Sequence, residues 1–216
     1  PAYADDEFSI AEAEQFVSKL SLPFPVRDYQ LDAFAHAVKK KRALMLAPTA
    51  SGKSLIIYLL AAYLNRKTLI IVPTISLVQQ MAGDFKSYGY VGEPHMVTAG
   101  VEKDTTHPLT VSTWQSIHKM PKKWFEQFDV VIGDEAHQFK SKSLTSIMTK
   151  LVATPYRFGF TGTLDGTQTH RLVLEGLFGS VEKVTTTDEL IKKGTLSEFN
   201  VKCIEFTFLR FLYFRT

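Results

Sequence analysis

The sequence predicts an α/β fold in which helices flank a mostly parallel β-sheet on both faces. Short apolar runs alternate along the chain with longer amphipathic segments, which is typical of repeated βαβ units. The runs at 69–72 and 130–132 contain only Leu, Ile and Val, as expected for strands buried on both faces. A chain of 216 residues, 45% of them hydrophobic, is long enough to bury one core of this kind.

Two helices are predicted ahead of the first strand. Ser9 and Glu12 have the spacing of a capping box, and apolar residues recur on one face over 9–20. A second helix with a buried apolar stripe is predicted over 28–40.

The two helices are separated by an extended connector. Pro23 and Pro25 predict it, because proline disfavours the helical conformation of the residue before it. We therefore expect residues 1–26 to form a small helical extension and linker, and residues 27–205 to form the main domain.

Strands and helices alternate through the rest of the domain. Strands are predicted at 43–47, 68–72, 95–98, 109–112, 129–133 and 156–161. Helices are predicted at 54–64, 75–88, 114–125, 143–152 and 169–178. Ligands of parallel sheets bind beyond the carboxyl ends of the strands. The chemical motifs described below are expected at those ends.

The C-terminal part differs in composition. A last strand is predicted over 199–206, and within the apolar tail 206–216 the run 208–213 is almost wholly apolar and aromatic. The tail either closes the sheet, starts a second lobe at the cut edge of a longer protein, or is an artificial extension. Because the sequence begins with Pro1 and not with methionine, we expect an excised fragment.

Composition excludes several classes of protein. A formal net charge of +3 permits nucleic-acid binding but does not argue for it. The single cysteine, Cys203, excludes an intramolecular disulfide and a cysteine-based zinc cluster, and it favours a reducing, cytoplasmic location. No apolar run approaches the length of a membrane span, and the acidic start does not resemble a secretory signal.

Four consecutive cations occur at 39–42. They could form a patch for DNA, but they also end a predicted helix, where the helix dipole favours positive charge. We favour the structural interpretation.

A phosphate-binding loop is predicted over 47–54, between a strand and a helix. Backbone N–H groups at a helix start bind phosphate oxygens, and glycine lets the backbone approach closely. Lys53 is expected to reach the β- and γ-phosphates, and the hydroxyl of Ser54 to hold Mg²⁺. Ala47 replaces the usual first glycine. The residues expected to bind the nucleotide here are Pro48, Thr49, Ala50, Ser51, Gly52, Lys53 and Ser54.

Two adjacent carboxylates, Asp134 and Glu135, follow the apolar run at 130–132. In a phosphate-loop ATPase an aspartate at this place binds Mg²⁺, and the glutamate next to it polarises the attacking water. A solvated acidic strand end is the alternative. His137 follows closely and is a further candidate catalytic residue, although a lone histidine is more often structural. The other histidines are scattered without ligand spacing, so no metal beyond Mg²⁺ is expected.

The sequence resembles superfamily two helicases. Asp134-Glu135-Ala136-His137 matches a motif II spelling of that family, and alanine at the start of the phosphate loop is common there. The 27–30 segment, Arg-Asp-Tyr-Gln, resembles the element in which the family reads adenine, which implies that Arg27 and Gln30 bind the nucleotide. The resemblance covers about residues 27–205 and implies a RecA-like phosphate-loop NTPase lobe.

The resemblance also implies a nucleic-acid surface and a coupling segment. Thr161, Gly162 and Thr163 lie where motif III couples the ATP state to movement, and the Thr-Gly-Thr spelling favours DNA over RNA. The residues implied to contact the nucleic-acid backbone are Thr74, Ser76, Gln79, Thr98, Gly100, Thr113 and Gln115. Each of the polar side chains among them could instead cap a helix or a turn. Trp114 could stack on a base, but a core tryptophan is the favoured interpretation.

The resemblance implies an ATP-hydrolysing DNA helicase or translocase, similar to recombination and repair helicases of tailed phages. It implies ATP and Mg²⁺ as cofactors, and branched or junction DNA as partner in unwinding and branch migration. A second RecA-like lobe, expected to supply the arginine finger, is missing from the sequence, so we expect this lobe alone to hydrolyse ATP poorly.

Three alternatives remain open. They are an RNA helicase lobe, a nucleotide-sensing module without motor function, and a small-molecule kinase. Glu135 argues against a sensor, because binding alone needs no catalytic base, and no substrate lid is apparent for a kinase.

Overall fold

The computed structural model describes residues 5–103, 106–138, 141–151, 153–164 and 168–196. Its strands are β1 (Arg42–Leu46), β2 (Thr68–Val72), β3 (His95–Val97), β4 (Leu109–Thr113), β5 (Val130–Gly133), β6 (Tyr156–Thr161) and β7 (Val181–Lys183). Its helices are α1 (Ile10–Val17), α2 (Asp28–Lys40), α3 (Lys53–Leu64), α4 (Ile75–Ser87), α5 (Trp114–Ile117), α6 (Lys122–Phe125), α7 (Ser141–Lys150), α8 (Gln168–Phe178) and α9 (Thr187–Lys192).

The seven strands form one sheet in the order β3-β4-β2-β5-β6-β1-β7. Every neighbouring pair is parallel. All strands therefore end at the same edge, which is where a doubly wound fold binds its ligands. The predicted α/β class is confirmed.

Alternate residues of each central strand face two separate cores, one on each side of the sheet. Ile70 packs with α1 to α4, whereas its neighbours Leu69 and Ile71 pack with α5 to α8. Val131 and Ile132 divide between the two cores in the same way. This arrangement explains why the runs at 69–72 and 130–132 contain no polar residue, because both faces of the sheet are covered there.

The helical extension packs on the main domain through aromatic rings. The ring of Phe16 on α1 lies 5.8 Å from Phe34 on α2 and 5.2 Å from Tyr63 on α3. The predicted capping box is present, since the Ser9 hydroxyl accepts the Glu12 N–H and the Glu12 carboxylate accepts the Ser9 N–H. The domain boundary at residue 26 stays a prediction.

Acidic residues of the extension neutralise the basic run at 39–42. The ammonium group of Lys40 lies 2.6 Å from Asp5, and that of Lys41 lies 2.8 Å from Asp6. Arg42 donates hydrogen bonds to two backbone carbonyls of the 154–155 turn. These contacts support the structural interpretation of the run.

The structure differs from the predicted elements in three places. The helix predicted over 114–125 is divided into α5 and α6, because Pro121 at the start of α6 has no N–H to continue the first helix. Strand β7 was not predicted, since Val181 is its one apolar residue. Helix α9 was also missed, although Thr186 and Glu189 form a capping box at its start.

The strand predicted over 199–206, which includes Cys203, and the apolar tail 206–216 lie outside the described residues. Among the helices of the described chain, none is both long and apolar enough to cross a bilayer.

Candidate functional site

The phosphate loop lies at the carboxyl end of β1. The Ala47 N–H donates to the Thr161 carbonyl, which extends the pairing of β1 with β6 by one residue. Residues Thr49–Ser51 then form a short 3₁₀ turn, and α3 begins at Lys53. The loop therefore ends at a helix start, whose free N–H groups suit an anion.

Gly52 is required at the start of α3 for two reasons. Its φ of 75° lies in the left-handed region, which glycine adopts without steric cost. A Cβ atom at this position would also lie 2.4 Å from the side-chain nitrogen of Gln30. Any side chain at position 52 would therefore displace the Gln30 amide from its position beside the loop.

Side chains at the start of α2 hold the phosphate loop in place through hydrogen bonds. The Gln30 amide donates to the Ser51 carbonyl at 2.9 Å and accepts the Arg27 N–H at 3.0 Å. The Tyr29 hydroxyl donates to the same Ser51 carbonyl at 3.1 Å, and the Arg27 guanidinium donates to that hydroxyl at 2.8 Å. Arg27 and Gln30, predicted to bind the nucleotide, thus lie directly beside the loop.

A cavity of about 410 Å³ opens next to the loop. Its size and its mixture of apolar walls with a few polar groups are typical of small-molecule sites. Its lining residues are Phe24, Pro25, Arg27, Gln30, Ala50, Gly52, Leu55 and Tyr88. Sequence reasoning missed Phe24 and Tyr88, because neither belongs to a recognisable motif.

The acidic residues at the end of β5 face the phosphate loop. The Lys53 ammonium forms an ion pair with the Glu135 carboxylate, and the two side chains are 7% and 14% exposed. Asp134 is buried, and its carboxylate accepts the Glu135 N–H at 3.0 Å. The structure therefore brings Lys53 and the acidic motif to one place on the sheet edge.

Burial raises the pKa of Asp134 to about 6, while the positive charge of Lys53 opposes that shift. A bound cation would stabilise the ionised carboxylate in the same way as Lys53 does. Asp134 and the hydroxyl of Ser54 offer the hard oxygen ligands that Mg²⁺ prefers. Groups of three or more His, Cys, Asp or Glu that could hold a metal are absent from the described residues.

A chain of polar contacts joins the acidic motif to the end of β6. The His137 Nδ1 atom lies 3.4 Å from Glu135 and 2.8 Å from the Thr161 hydroxyl. The Thr161 hydroxyl donates its one proton to the Thr163 carbonyl at 2.6 Å. In the hydrogen bond between His137 and Thr161, the proton is therefore carried by Nδ1 of His137. The predicted coupling segment over 161–163 therefore contacts motif II through His137.

Glu135 itself has an uncommon backbone conformation. Its φ of 50° is in the left-handed region, which non-glycine residues rarely occupy. Such conformations cost of order 1–3 kcal/mol and concentrate at functional sites. Here the conformation turns the Glu135 carboxylate toward Lys53 and His137.

The residues predicted to contact nucleic acid lie after β2, β3 and β4, at the same edge but away from β1. Ser76 and Gln79 are exposed on the first turns of α4. Thr98 and Gly100 form the turn after β3, where Val101 N–H donates to the Thr98 carbonyl. These loops therefore lie at one edge of the sheet, but Thr113, which was predicted to contact the nucleic acid, is itself buried.

Some of these polar side chains also hold the loops together. Thr74 caps α4 by accepting the Leu77 N–H, and Thr113 caps α5. The Gln115 amide donates to the Pro73 carbonyl at 3.3 Å, which joins the loop after β4 to the loop after β2. Trp114 is half-buried and packs against the core of α5 to α8, so it borders the core and is not buried within it as the favoured interpretation expected.

Comparison with known proteins identifies the family. The sequence profile of the family described as "Type III restriction enzyme, res subunit" matches residues 23–166, which is more than half of the chain. The chain belongs to this family. The residues that match the family include Gln30, the phosphate loop, the acidic motif and the segment over 161–163.

Two curated relatives of this res-subunit family member are named as DNA motors. The ATP-dependent DNA helicase uvsW of Enterobacteria phage T4 is 34% identical over 95% of this chain and 43% of its own length. The DNA 3'-5' translocase XPB2 of Sulfurisphaera tokodaii is 34% identical over 66% of this chain and 33% of its own length. The chain thus spans less than half the length of these relatives.

Solved structures agree with the fold. A crystal structure of T4 UvsW has a TM-score of 0.76 and 35% identity, and the match covers 86% of this chain and 41% of that one. A hypothetical ATP-dependent RNA helicase from Sulfolobus tokodaii has a TM-score of 0.63 at 18% identity. The res-subunit family member therefore has the RecA-like fold of superfamily two helicases.

Proposed function

We propose that this chain is the first motor lobe of an ATP-dependent DNA helicase or translocase. The observation that carries the proposal is the contact of Lys53 with Glu135 beside the buried Asp134. A lysine at the start of a helix and two carboxylates at the end of a buried strand form a site for a triphosphate and its cation. The names of the two curated relatives support ATP and DNA as ligands.

The proposed roles follow from the chemistry of the side chains. Lys53 and the N–H groups of the loop bind the phosphates, and Ser54 with Asp134 holds Mg²⁺. The bound Mg²⁺ supplies charge neutralisation of the phosphate oxygens. Glu135 orients the attacking water and accepts its proton, once it is released from Lys53. His137 connects this event to the segment over 161–163.

The cavity beside the loop is the proposed base site. The Gln30 amide nitrogen donates to the Ser51 carbonyl and also lies 3.5 Å from the Gly52 carbonyl, while its oxygen keeps one lone pair after accepting the Arg27 N–H. Adenine offers a donor and an acceptor side by side, so it can donate to the free lone pair of Gln30 and compete with the distant Gly52 carbonyl for the amide N–H. Arg27 lines the same cavity and lies next to this amide.

The surface after β2, β3 and β4 is the proposed track for the DNA backbone. Hydroxyls, amides and backbone N–H groups bind phosphates without reading sequence, as a motor that moves along DNA requires. The exposed side chains of Ser76 and Gln79 suit direct contacts, whereas Thr113 and Gln115 position the loops. Branched DNA, and a role in recombination, repair and branch migration, are the proposed substrate and process of the whole protein.

A second RecA-like lobe completes the proposed motor. The chain spans 43% of the T4 relative, and an arginine from a facing lobe is the usual source of the last catalytic charge. The segment over 161–163 is then placed to transmit closure of the two lobes. The proposed boundaries are the extension over 1–26, the lobe over 27–205 and the tail over 206–216, which starts a second lobe or is an artificial extension.

Two measurements test this function. First, a fluorescent ATP analogue is titrated into the chain and into Lys53→Ala, and we expect Mg²⁺-dependent binding that the substitution removes. Second, ATP hydrolysis by the protein with both lobes is measured with branched DNA and with structured RNA. DNA stimulation supports the proposal, RNA stimulation alone points to an RNA helicase, and nucleotide binding without hydrolysis points to a sensor.

A further inference from the structure

Tyr88, a residue outside every recognised motif, connects the nucleotide cavity with the phosphate loop. It follows α4 directly and is 8% exposed. Its ring meets Phe24 edge to face at 5.7 Å and lies 5.5 Å from the ring of Tyr58 on α3. Tyr88 therefore forms one wall of the cavity that also contains Gln30.

The hydroxyl of Tyr88 makes a second, independent contact. It lies 2.8 Å from the hydroxyl of Ser54, the second residue of α3. Burial raises the pKa of Tyr88, so its hydroxyl stays protonated and neutral around pH 7. One side chain thus touches both the proposed base site and the proposed Mg²⁺ ligand.

We infer that Tyr88 is a positioning residue that orients the Ser54 hydroxyl for Mg²⁺ and closes the nucleotide cavity. The inference rests on the proposed function. A hydroxyl has one proton and two lone pairs, and a cation draws a lone pair toward itself while turning the proton away. The oxygen of Tyr88 is in place to accept that proton, which leaves both lone pairs of Ser54 for the cation.

The contact makes two separable contributions. The ring of Tyr88 shapes the cavity whether or not a cation is present, whereas its hydroxyl acts only through Ser54. Replacing Tyr88 with phenylalanine keeps the ring and removes the acceptor, and replacing it with leucine removes both. A tyrosine that merely fills space would show no such division.

The test measures binding of a fluorescent ATP analogue with excess Mg²⁺ and with EDTA. For Tyr88→Phe we expect unchanged affinity in EDTA and a loss of about three- to tenfold in the affinity gained from Mg²⁺, the range of one hydrogen bond. For Tyr88→Leu we expect weaker binding in both conditions. The matched control is Tyr58→Phe, which removes a buried hydroxyl from the neighbouring ring and should bind as the unchanged chain does.

A double substitution tests whether the effect passes through Ser54. In a Ser54→Ala background, Tyr88→Phe should cause no further loss of the Mg²⁺-dependent gain. Thermal unfolding without nucleotide checks that each variant is folded. An unaltered Mg²⁺ gain in Tyr88→Phe, or an equal further loss in the Ser54→Ala background, would overturn the inference. If the unchanged chain itself gains no affinity from Mg²⁺, the proposed function fails first.

Discussion

The ammonium group of Lys53 forms an ion pair with the carboxylate of Glu135, 82 residues further along the chain. Both side chains are largely buried, so water screens their attraction weakly. A triphosphate that enters the loop competes with Glu135 for Lys53. In the nucleotide-free protein, the proposed catalytic base Glu135 is therefore paired with Lys53, which the nucleotide needs for its phosphates. Nucleotide binding has to break this ion pair.

The variant Glu135→Gln is expected to bind ATP more tightly and to lose hydrolysis. Removing the competing charge frees Lys53, so Mg²⁺-free affinity should rise by about five- to tenfold, or about 1 kcal/mol. Loss of the base should lower the turnover of the protein with both lobes by about 100-fold or more. Nucleotide titration and single-turnover hydrolysis measure the two effects.

The matched control for this prediction is Glu126→Gln. Glu126 also pairs with a lysine, but its ion pair with Lys122 is exposed and lies away from the loop. The Glu126→Gln substitution should leave both nucleotide binding and turnover unchanged, because exposed ion pairs contribute little free energy. Weaker nucleotide binding by Glu135→Gln would contradict the competition between Glu135 and phosphate.

Metal-dependent nucleotide binding is expected to weaken as the pH falls through about 6. Burial raises the pKa of Asp134 to about 6, and the protonated carboxyl group is a poor ligand for Mg²⁺. Below that pH the gain in affinity from Mg²⁺ should decrease by up to about tenfold per pH unit, as protons and metal compete. The same titration with Asp134→Asn is the control, because any pH dependence that remains comes from protonation of the nucleotide. If the affinity gained from Mg²⁺ has the same pH dependence in both proteins, Asp134 is not a metal ligand.

The same shift predicts the sign of a stability effect. Because the folded-state pKa of Asp134 is above its ordinary value, its contribution to stability is greatest at low pH and is lost as the pH rises to about 6. Asp134→Asn should therefore stabilise the nucleotide-free protein at pH 8, by about 1–3 kcal/mol. Urea unfolding at pH 8 measures this gain, and a destabilised Asn variant would show that Lys53 outweighs the burial of the charge.

A pair of alanine substitutions on α4 separates capping from DNA contact. Thr74→Ala removes the helix cap and should lower the free energy of unfolding by about 1 kcal/mol. Gln79→Ala affects an exposed side chain and should leave stability unchanged while weakening DNA binding. Urea unfolding and DNA titration of both variants give the comparison. Unchanged DNA affinity for Gln79→Ala would remove that residue from the proposed track.

A buried hydroxyl in β4 offers a stabilising substitution. Thr110 is fully buried, and its hydroxyl has no hydrogen-bond partner among the described residues. Thr110→Val keeps the shape and removes the unpaired group, so the free energy of unfolding should rise by about 1 kcal/mol. The control Thr154→Val removes a buried hydroxyl that donates to the Phe128 carbonyl, and it should destabilise the protein. A loss of stability for Thr110→Val would indicate an undetected partner of this hydroxyl.

The local elements of the fold were predictable because their signals are local. Helix α2 spans 28–40 as predicted, and strands β2 and β6 also match their predicted bounds. Hydrophobic periodicity and the spacing of caps depend on neighbours in the chain. The missed elements failed for different reasons. Helix α9 has a local capping box that the prediction overlooked. Val181–Lys183 lacks periodicity and forms a strand because its edge pairs with β1 in the folded sheet.

The sequence by itself determined the class of the fold, the order of most of its elements and the places of the phosphate loop and the acidic motif at strand ends. Only the tertiary structure decided that Lys53 rests on Glu135, that His137 connects motif II to Thr161, and that Tyr88 reaches Ser54. These contacts join residues on different elements. Their geometry depends on how helices pack on the twisted sheet, and a linear pattern of residue types contains no signal for that packing.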